Sequence, residues 1–391
     1  MSISETALAI AQQLMEASQP GYPAWNMEQR LSGAQPSWNY IDGCMLKALL
    51  DLEEVQGGGR YLAFVEDYLA YFISPEGEIR HYSAEEQNCD RINGGKVLLR
   101  LYEAGRGERY RLAAQALYAQ LEKQPRLSCG NFWHKRIYPN QIWLDGLYMV
   151  QPFFLQYQRL FCQYQNYQDS IGQFRRVEEL LRDPETGLYY HAYDESRSMF
   201  WADPKTGLSP NFWGRSLGWF AMALIDSLEQ LSPKLYSEYA CLRRIFTNLA
   251  AALAQQLDPE TGLLYQLPQL ADYPGNYLET SASAALAYVF YKGRRMGLLP
   301  ARYARMAERC YRSILDTKLR REDDGAYHLH DICLVAGLGG DSGKGSYKRR
   351  DGSPEYYLSE PRVPDDAKGV AAFLFASAER ARLEARGLCP I

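Results

Sequence analysis

Trp143-Leu144-Asp145-Gly146-Leu147-Tyr148-Met149 sets a carboxylate and a glycine at the entry to a run whose apolar residues recur at helical spacing as far as 162. Two other helix entries read alike, Ile41-Asp42-Gly43-Cys44-Met45 and Arg91-Ile92-Asn93-Gly94-Gly95-Lys96, each with Asp or Asn ahead of Gly. Outward from these, helical periodicity returns over 2–17, 38–54, 60–73, 92–105, 109–123, 144–162, 168–182, 213–231, 236–256, 279–297, 302–316 and 366–385, while strand-like alternation is scarce. Taken in pairs, the second members begin near 38, 93, 144, 213, 279 and 366, and two-helix units at this spacing predict a solenoid or a closed ring. Three loops share one turn sequence, Asp183-Pro-Glu-Thr-Gly-Leu188, Asp203-Pro-Lys-Thr-Gly-Leu208 and Asp258-Pro-Glu-Thr-Gly-Leu263, in which Asp-Pro opens the turn and Gly can take positive φ. An open solenoid would show one regular motif per repeat and polar end caps. Neither is visible, so the expectation is an all-α (α/α)6 barrel of six helical hairpins, one domain over 1–391.

The bulk properties narrow the function. A net charge of −4 with signs interspersed gives no basic stripe and argues against a nucleic-acid partner. No apolar run reaches the roughly 18 residues of a membrane span, and the N-terminal MSISETALAIAQQLMEA reads as an amphipathic helix rather than a signal peptide. The eight cysteines are dispersed, with no CxxC pair, which fits neither a zinc site nor a disulfide framework and points to a reducing cytoplasm. Nothing in the sequence sets an oligomeric state. Tyrosine is abundant at 30 residues beside 7 tryptophans, which suits either a polar-edged core or a cleft whose rings stack on sugars.

The residues with chemistry gather at the starts of the second helices. Asp42 and Asn93 read as N-caps, or as part of a ring of helix starts whose partial positive charge favours an anionic ligand. Asp145 stands apart because His134 and Lys135 precede it, Trp143 flanks it and Asp90 stands before the equivalent helix of the preceding repeat. A carboxyl group among indoles, with a second carboxylate near, is expected to keep its proton near neutral pH and act as a donor. In Asn211-Phe-Trp213-Gly-Arg215-Ser-Leu-Gly-Trp219, an Arg between two Trp suits recognition of a carboxylate sugar, or core packing with an ion pair. Tyr40 lies at the first such helix start, and His191 lies in the loop before the fourth, where a lone histidine is commonly a surface residue.

With these residues assembled, the chain resembles glycoside hydrolase family 105, the unsaturated rhamnogalacturonyl hydrolases. The matching stretches are Asp90-x-x-Asn93-Gly-Gly-Lys-Val-Leu-Leu-Arg-Leu-Tyr102, Trp143-Leu-Asp145-Gly-Leu-Tyr-Met-Val-Gln-Pro-Phe153, Trp213-Gly-Arg215-Ser-Leu-Gly-Trp219, Glu279-Thr-Ser-Ala-Ser-Ala284 and the C-terminal Glu355 to Gly369. The resemblance implies a toroid and a reaction without metal or cofactor on di- or oligosaccharides ending in a 4,5-unsaturated uronic acid. It also implies Asp145 as general acid/base, Asp90 as partner carboxylate, and His134 and His191 as polar groups lining the sugar site. Trp213, Arg215 and Trp219 would form the substrate-holding wall, joined by Tyr40, Lys135 and Trp143. Ser216-Leu217 departs from the Gly-Asn usual in that family, which bears on subsite shape. The loop 331–365, rich in glycine, is expected to bind the leaving sugar.

The mechanism expected from this resemblance protonates C4 of the enol ether from Asp145, adds water at C5, and passes the water's proton to the Asp145 carboxylate or through His191. Asp90 would orient a ring hydroxyl, and Arg215 or Lys135 would hold the uronate carboxylate. Three alternatives remain open at this point. They are a conventional inverting glycosidase using Asp90 and Asp145, a non-catalytic sugar-binding toroid, and an epimerase, which usually needs more histidines than the five present.

Overall fold

A computed structural model describes residues 3–323, 325–340 and 349–388. The helices are α1 (Glu5–Glu16), α2 (Met27–Ser32), α3 (Tyr40–Gln56), α4 (Arg60–Phe72), α5 (Gly95–Glu103), α6 (Glu108–Glu122), α7 (Leu144–Phe161), α8 (Tyr167–Leu181), α9 (Gly214–Gln230), α10 (Tyr236–Ala254), α11 (Thr280–Arg295), α12 (Ala301–Thr317), α13 (Pro354–Ser359) and α14 (Ala367–Ala385). All twelve expected helices are present with ends within three residues of expectation. Ser2 of the first, 341–348 of the loop 331–365, and Cys389 lie outside the described residues.

Six helices form the inner wall. α3 packs on α5, α5 on α7, α7 on α9, α9 on α11, α11 on α14, and α14 back on α3, so the ring closes. The outer helices α4, α6, α8, α10 and α12 each pack on the inner helix before them, and α1 covers α14. This is the (α/α)6 toroid. Burial follows position in the ring: α7 is buried from Gly146 to Gln158 and α9 from Gly214 to Leu228, because inner helices meet neighbours on every side. Outer α12 instead buries one face, Tyr303, Ala304, Ala307, Cys310, Tyr311 and Ile314.

The shared turns form as expected. In each, the Asp side chain accepts from the Thr backbone N–H and hydroxyl, and Gly187, Gly207 and Gly262 have φ of +74°, +82° and +72°. The glycines at the helix entries have another purpose. A Cβ on Gly146 would stand 2.9 Å from His134 Nδ1, and one on Gly43 would meet the Gly94 backbone at 3.0 Å, so these positions admit close neighbours.

The N-cap reading is corrected here. α3 is capped by Asn39, whose side-chain Oδ1 takes the Asp42 N–H, and Asp42 instead accepts from Trp25 Nε1, Tyr68 Oη and Asn39 Nδ2. Burial, against these hydrogen bonds, raises the Asp42 carboxyl to about 6. Asn93 follows a 3-10 turn (Cys89–Ile92) that delays α5 to Gly95, and its amide braces the Tyr40 carbonyl.

The two ends of the ring differ. Helix starts carry the candidate site, whereas the helix C-termini surround a cavity of about 280 Å³ lined by Lys47, Asp51, Lys96, Arg100, Asp226 and Lys292 among others. Most of these charges pair with each other, as Lys292 with Asp226 at 2.7 Å and Arg100 with Asp51 at 2.8 Å, and cations there suit the negative helix ends. Among the described residues no helix is long and apolar enough to cross a membrane, and no cluster of His, Cys, Asp or Glu is placed to hold a metal.

Candidate active site

Two three-residue strands, β1 (Gln141–Trp143) and β2 (Ala192–Asp194), pair antiparallel with Trp143 opposite Ala192. Sequence alternation over so few residues is invisible, yet this pairing builds the site. It brings the residue before β2, His191, to the residues after β1, with Leu144 N–H donating to the His191 carbonyl at 3.1 Å. His191 Nε2 then stands 3.2 Å from Asp145 Oδ2. The pair is off hydrogen-bond alignment, and neither atom has another partner among the described residues. Catalytic pairs commonly tighten only when substrate binds. Asp145 does not cap α7, whose N-cap position, Trp143, makes no side-chain cap bond.

Asp90 reaches the same region from the 3-10 turn. Its Oδ2 is 2.6 Å from Lys135 Nζ and its Oδ1 is 3.7 Å from His134 Nε2. Burial pushes the Asp90 carboxyl up, but Lys135 and His134 outweigh it and hold it below the usual carboxylate range. Burial depresses His134 to about 4 against the pull of Asp90, so its imidazole is neutral at neutral pH. His134 stacks on Trp143 with centroids 4.8 Å apart, and Trp143 stacks on Tyr138 at 4.9 Å, giving an aromatic wall.

Tyr40 and Asp90 line a cleft of about 330 Å³ with Glu28, Asn39, Arg91, Val335 and Arg350. Tyr40 Oη donates to Glu28 at 3.3 Å, and burial with the Glu28 charge raises its phenol well above the ordinary value. Glu28 is paired with Lys368 at 2.7 Å, and Lys368 also holds Asp366 at 3.0 Å. Glu28 and Arg350 were missed from sequence, while Asp366, Lys368 and Tyr357 fell within the matching stretch Glu355 to Gly369 but were given no role. Glu28 sits on the six-residue α2, too short for periodicity, and Tyr357 sits on α13 inside the loop 331–365.

The structure relocates part of the expected wall. Arg215 is 2% exposed, and its terminal nitrogens donate to the Cys333 and Leu334 carbonyls and Ser281 Oγ rather than lying open as a fork. Trp213 backs His191 at 4.8 Å. Trp219 is not at the site: six residues on, it lies about 9 Å deeper along α9, stacked on Tyr148 at 4.8 Å in the core. Ser216 and Leu217 are likewise buried, the first donating to the Trp213 carbonyl, so this departure from the family 105 pattern falls on packing.

The sequence profile of Glycosyl Hydrolase Family 88 matches residues 13–384. The chain belongs to glycosyl hydrolase family 88. Like other members it is a glycosidase on an (α/α)6 toroid, and its likeness extends to family 105. A family 105 glycoside hydrolase structure from C. acetobutylicum ATCC 824 superposes with a TM-score of 0.84 at 38% identity, covering 94% of this chain and 98% of that one. Protein Atu3128 of Agrobacterium fabrum is 41% identical over 236 residues, 59% of this chain and 97% of that protein. The unsaturated rhamnogalacturonyl hydrolase YesR of Bacillus subtilis is 30% identical over 243 residues, 60% of this chain and 64% of that protein.

Proposed function

We propose that this family 88 enzyme removes the 4,5-unsaturated uronyl residue from lyase-generated oligosaccharides by hydrating its double bond, with unsaturated galacturonyl-rhamnose from pectin as its preferred substrate. One observation carries the reading: Asp145 faces the buried His191 at 3.2 Å, while the second carboxylate, Asp90, is held by Lys135 at 2.6 Å. Of the two expected carboxyls, Asp145 is thereby the one left to move protons. A conventional inverting glycosidase needs a second carboxylate as base, and one neutralised by an ammonium ion is a weak base. The name of the B. subtilis relative supports rhamnose as the leaving sugar. The seven cysteines of the described residues are free thiols, which supports the cytoplasm as the place of work.

In this mechanism Asp145 gives its proton to C4, and positive charge develops at C5 and the ring oxygen. Water adds at C5. The hemiketal opens to a C5 ketone, and the hemiacetal left at C1 collapses to an aldehyde, releasing the leaving sugar with net consumption of one water. Absorbance of the conjugated enol ether reads the reaction directly. A purified enzyme that bleaches a lyase-generated unsaturated disaccharide, and leaves its saturated counterpart intact, is expected. Cleavage of the saturated sugar, or no bleaching, would sink the proposal.

Lys135 is the better holder of the uronate carboxylate, because Arg215 is committed to backbone carbonyls while two of Lys135's three N–H donors remain. Lys135→Met is expected to lower kcat/KM by roughly 10–100-fold, the worth of a charge-assisted hydrogen bond. The variant should also stop distinguishing the free uronate from its methyl ester. Undiminished preference for the acid in Lys135→Met would assign the carboxylate to another cation.

A further inference from the structure

His191 has two ring nitrogens, and each faces one group. Nε2 faces Asp145, while Nδ1 lies 2.7 Å from Tyr357 Oη. His191 and Tyr357 are both fully buried, and Tyr357 Oη has no further hydrogen-bond partner among the described residues. Aromatic rings flank the pair: Trp213 at 4.8 Å and Trp143 at 5.3 Å from the imidazole, and Tyr356 at 5.3 Å and Trp213 at 6.2 Å from the Tyr357 ring. Asp145 is the carboxyl group that meets the imidazole, and His134 beyond it is neutral.

We propose that Tyr357 fixes His191 as the neutral Nε2–H tautomer, so that His191 turns an N–H, and never a basic nitrogen, toward Asp145. The argument is one of satisfied donors. If Nδ1 carried the proton and donated to Tyr357, the phenol hydrogen would be left without an acceptor among the described residues, and an unpaired buried donor is costly. If the phenol donates to Nδ1, its hydrogen has an acceptor, and the Nε2–H is left facing Asp145 at 3.2 Å. Burial, with the Asp145 and Asp351 charges behind it, raises the Tyr357 phenol well above the ordinary value, so this proton is present across the working pH range.

The consequence concerns the second proton step of the proposed reaction, on which this inference rests. An Nε2 that already bears hydrogen cannot accept the proton of the attacking water. That proton goes to the Asp145 carboxylate, which has just released its own to C4, and the enzyme returns to its starting state with atoms and charge balanced. Tyr357 touches neither substrate nor reacting atoms; it is a positioning residue.

The ¹⁵N spectrum of the imidazole rings tests the assignment, and only five histidines need resolving, with His191→Gln identifying the signal. The expected wild-type pattern is a protonated Nε2 and an unprotonated, hydrogen-bonded Nδ1. Tyr357→Phe keeps the ring and should release the tautomer, giving mixed signals, with kcat lowered about 10-fold, a part of general acid–base assistance, and KM little changed. A wild-type Nδ1–H signal overturns the inference, as does a Tyr357→Phe enzyme with unaltered ring signals and kcat. Because the spectrum is read without substrate, the two readings fail separately. An inactive wild type with Nε2–H defeats the proposed reaction alone, and an active one with Nδ1–H defeats the lock alone.

Discussion

Asp145→Asn is expected to fold as the wild type does and to lose roughly 10²–10⁴-fold in turnover of the unsaturated disaccharide, the usual worth of a positioned general acid–base. The stability half of this expectation follows from what Asp145 does not do. It makes no cap bond at the start of α7, and its Oδ2 has no partner but His191, so an isosteric amide removes no structural contact. The activity half follows from what remains in the cleft. Asp90 is tied to Lys135, and His134 is neutral with a proton affinity suited to about pH 4, so neither can deliver a proton near neutrality. Bleaching of the enol ether by wild type and variant decides the matter. A variant within a few-fold of wild type would move the acid elsewhere. Loss of folding instead, seen as an altered near-ultraviolet dichroism, would make Asp145 a structural residue.

The second large effect lies at the opposite end of the ring. Lys96 is 3% exposed, donates to the Tyr148 carbonyl at 3.1 Å and lies 3.5 Å above the Tyr148 ring, with no carboxylate within ion-pair distance among the described residues. Burial lowers its ammonium from 10.5 to about 7. The span corresponds to destabilisation on the order of 4–5 kcal/mol when the group is charged. Between pH 7 and 10.5 the unfolded chain binds the extra proton and the native chain does not, so native stability rises with pH across that window. Below pH 7 the penalty is complete. Lys96→Met should therefore stabilise the protein most at pH 7 and below, and its advantage should shrink by about 1.4 kcal/mol for each pH unit above 7. Urea midpoints of both proteins at pH 7 and pH 9 measure this. An advantage equal at the two pH values would mean that Lys96 keeps its charge inside the fold.

The helices were legible because each inner and outer segment is long enough for apolar spacing to declare itself, and because closure of the ring follows from counting six pairs. Asp145, Asp90, His134 and Lys135 were found by proximity to one helix start, and the structure brings all four to one end of the toroid. Trp219 shows where adjacency misleads, since six residues along a helix carry a side chain down the axis and round to another face. Asp42 was mistaken for a cap because Asn39, three residues earlier, performs that role and leaves Asp42 to bind Trp25 and Tyr68. Tyr357 lay within the C-terminal stretch Glu355 to Gly369 but was given no role, because its approach to His191 depends on the path of the loop before α13, which no local pattern encodes.

The ring closes at a seam between its first and last inner helices. α14 packs on α3, Ala367 N–H donates to the Trp25 carbonyl at 2.9 Å, and Lys368 reaches Glu28 at 2.7 Å. The ribosome delivers these partners hundreds of residues apart. A nascent chain that has already made Asp90, Asp145 and His191 still lacks Tyr357 and the helix that seals the wall, so the candidate site waits unassembled until α13 and α14 have been made. Assembly of the site therefore waits on the last inner helix, and any fragment released before α14 should carry Asp145 without the surroundings that α13 and α14 supply.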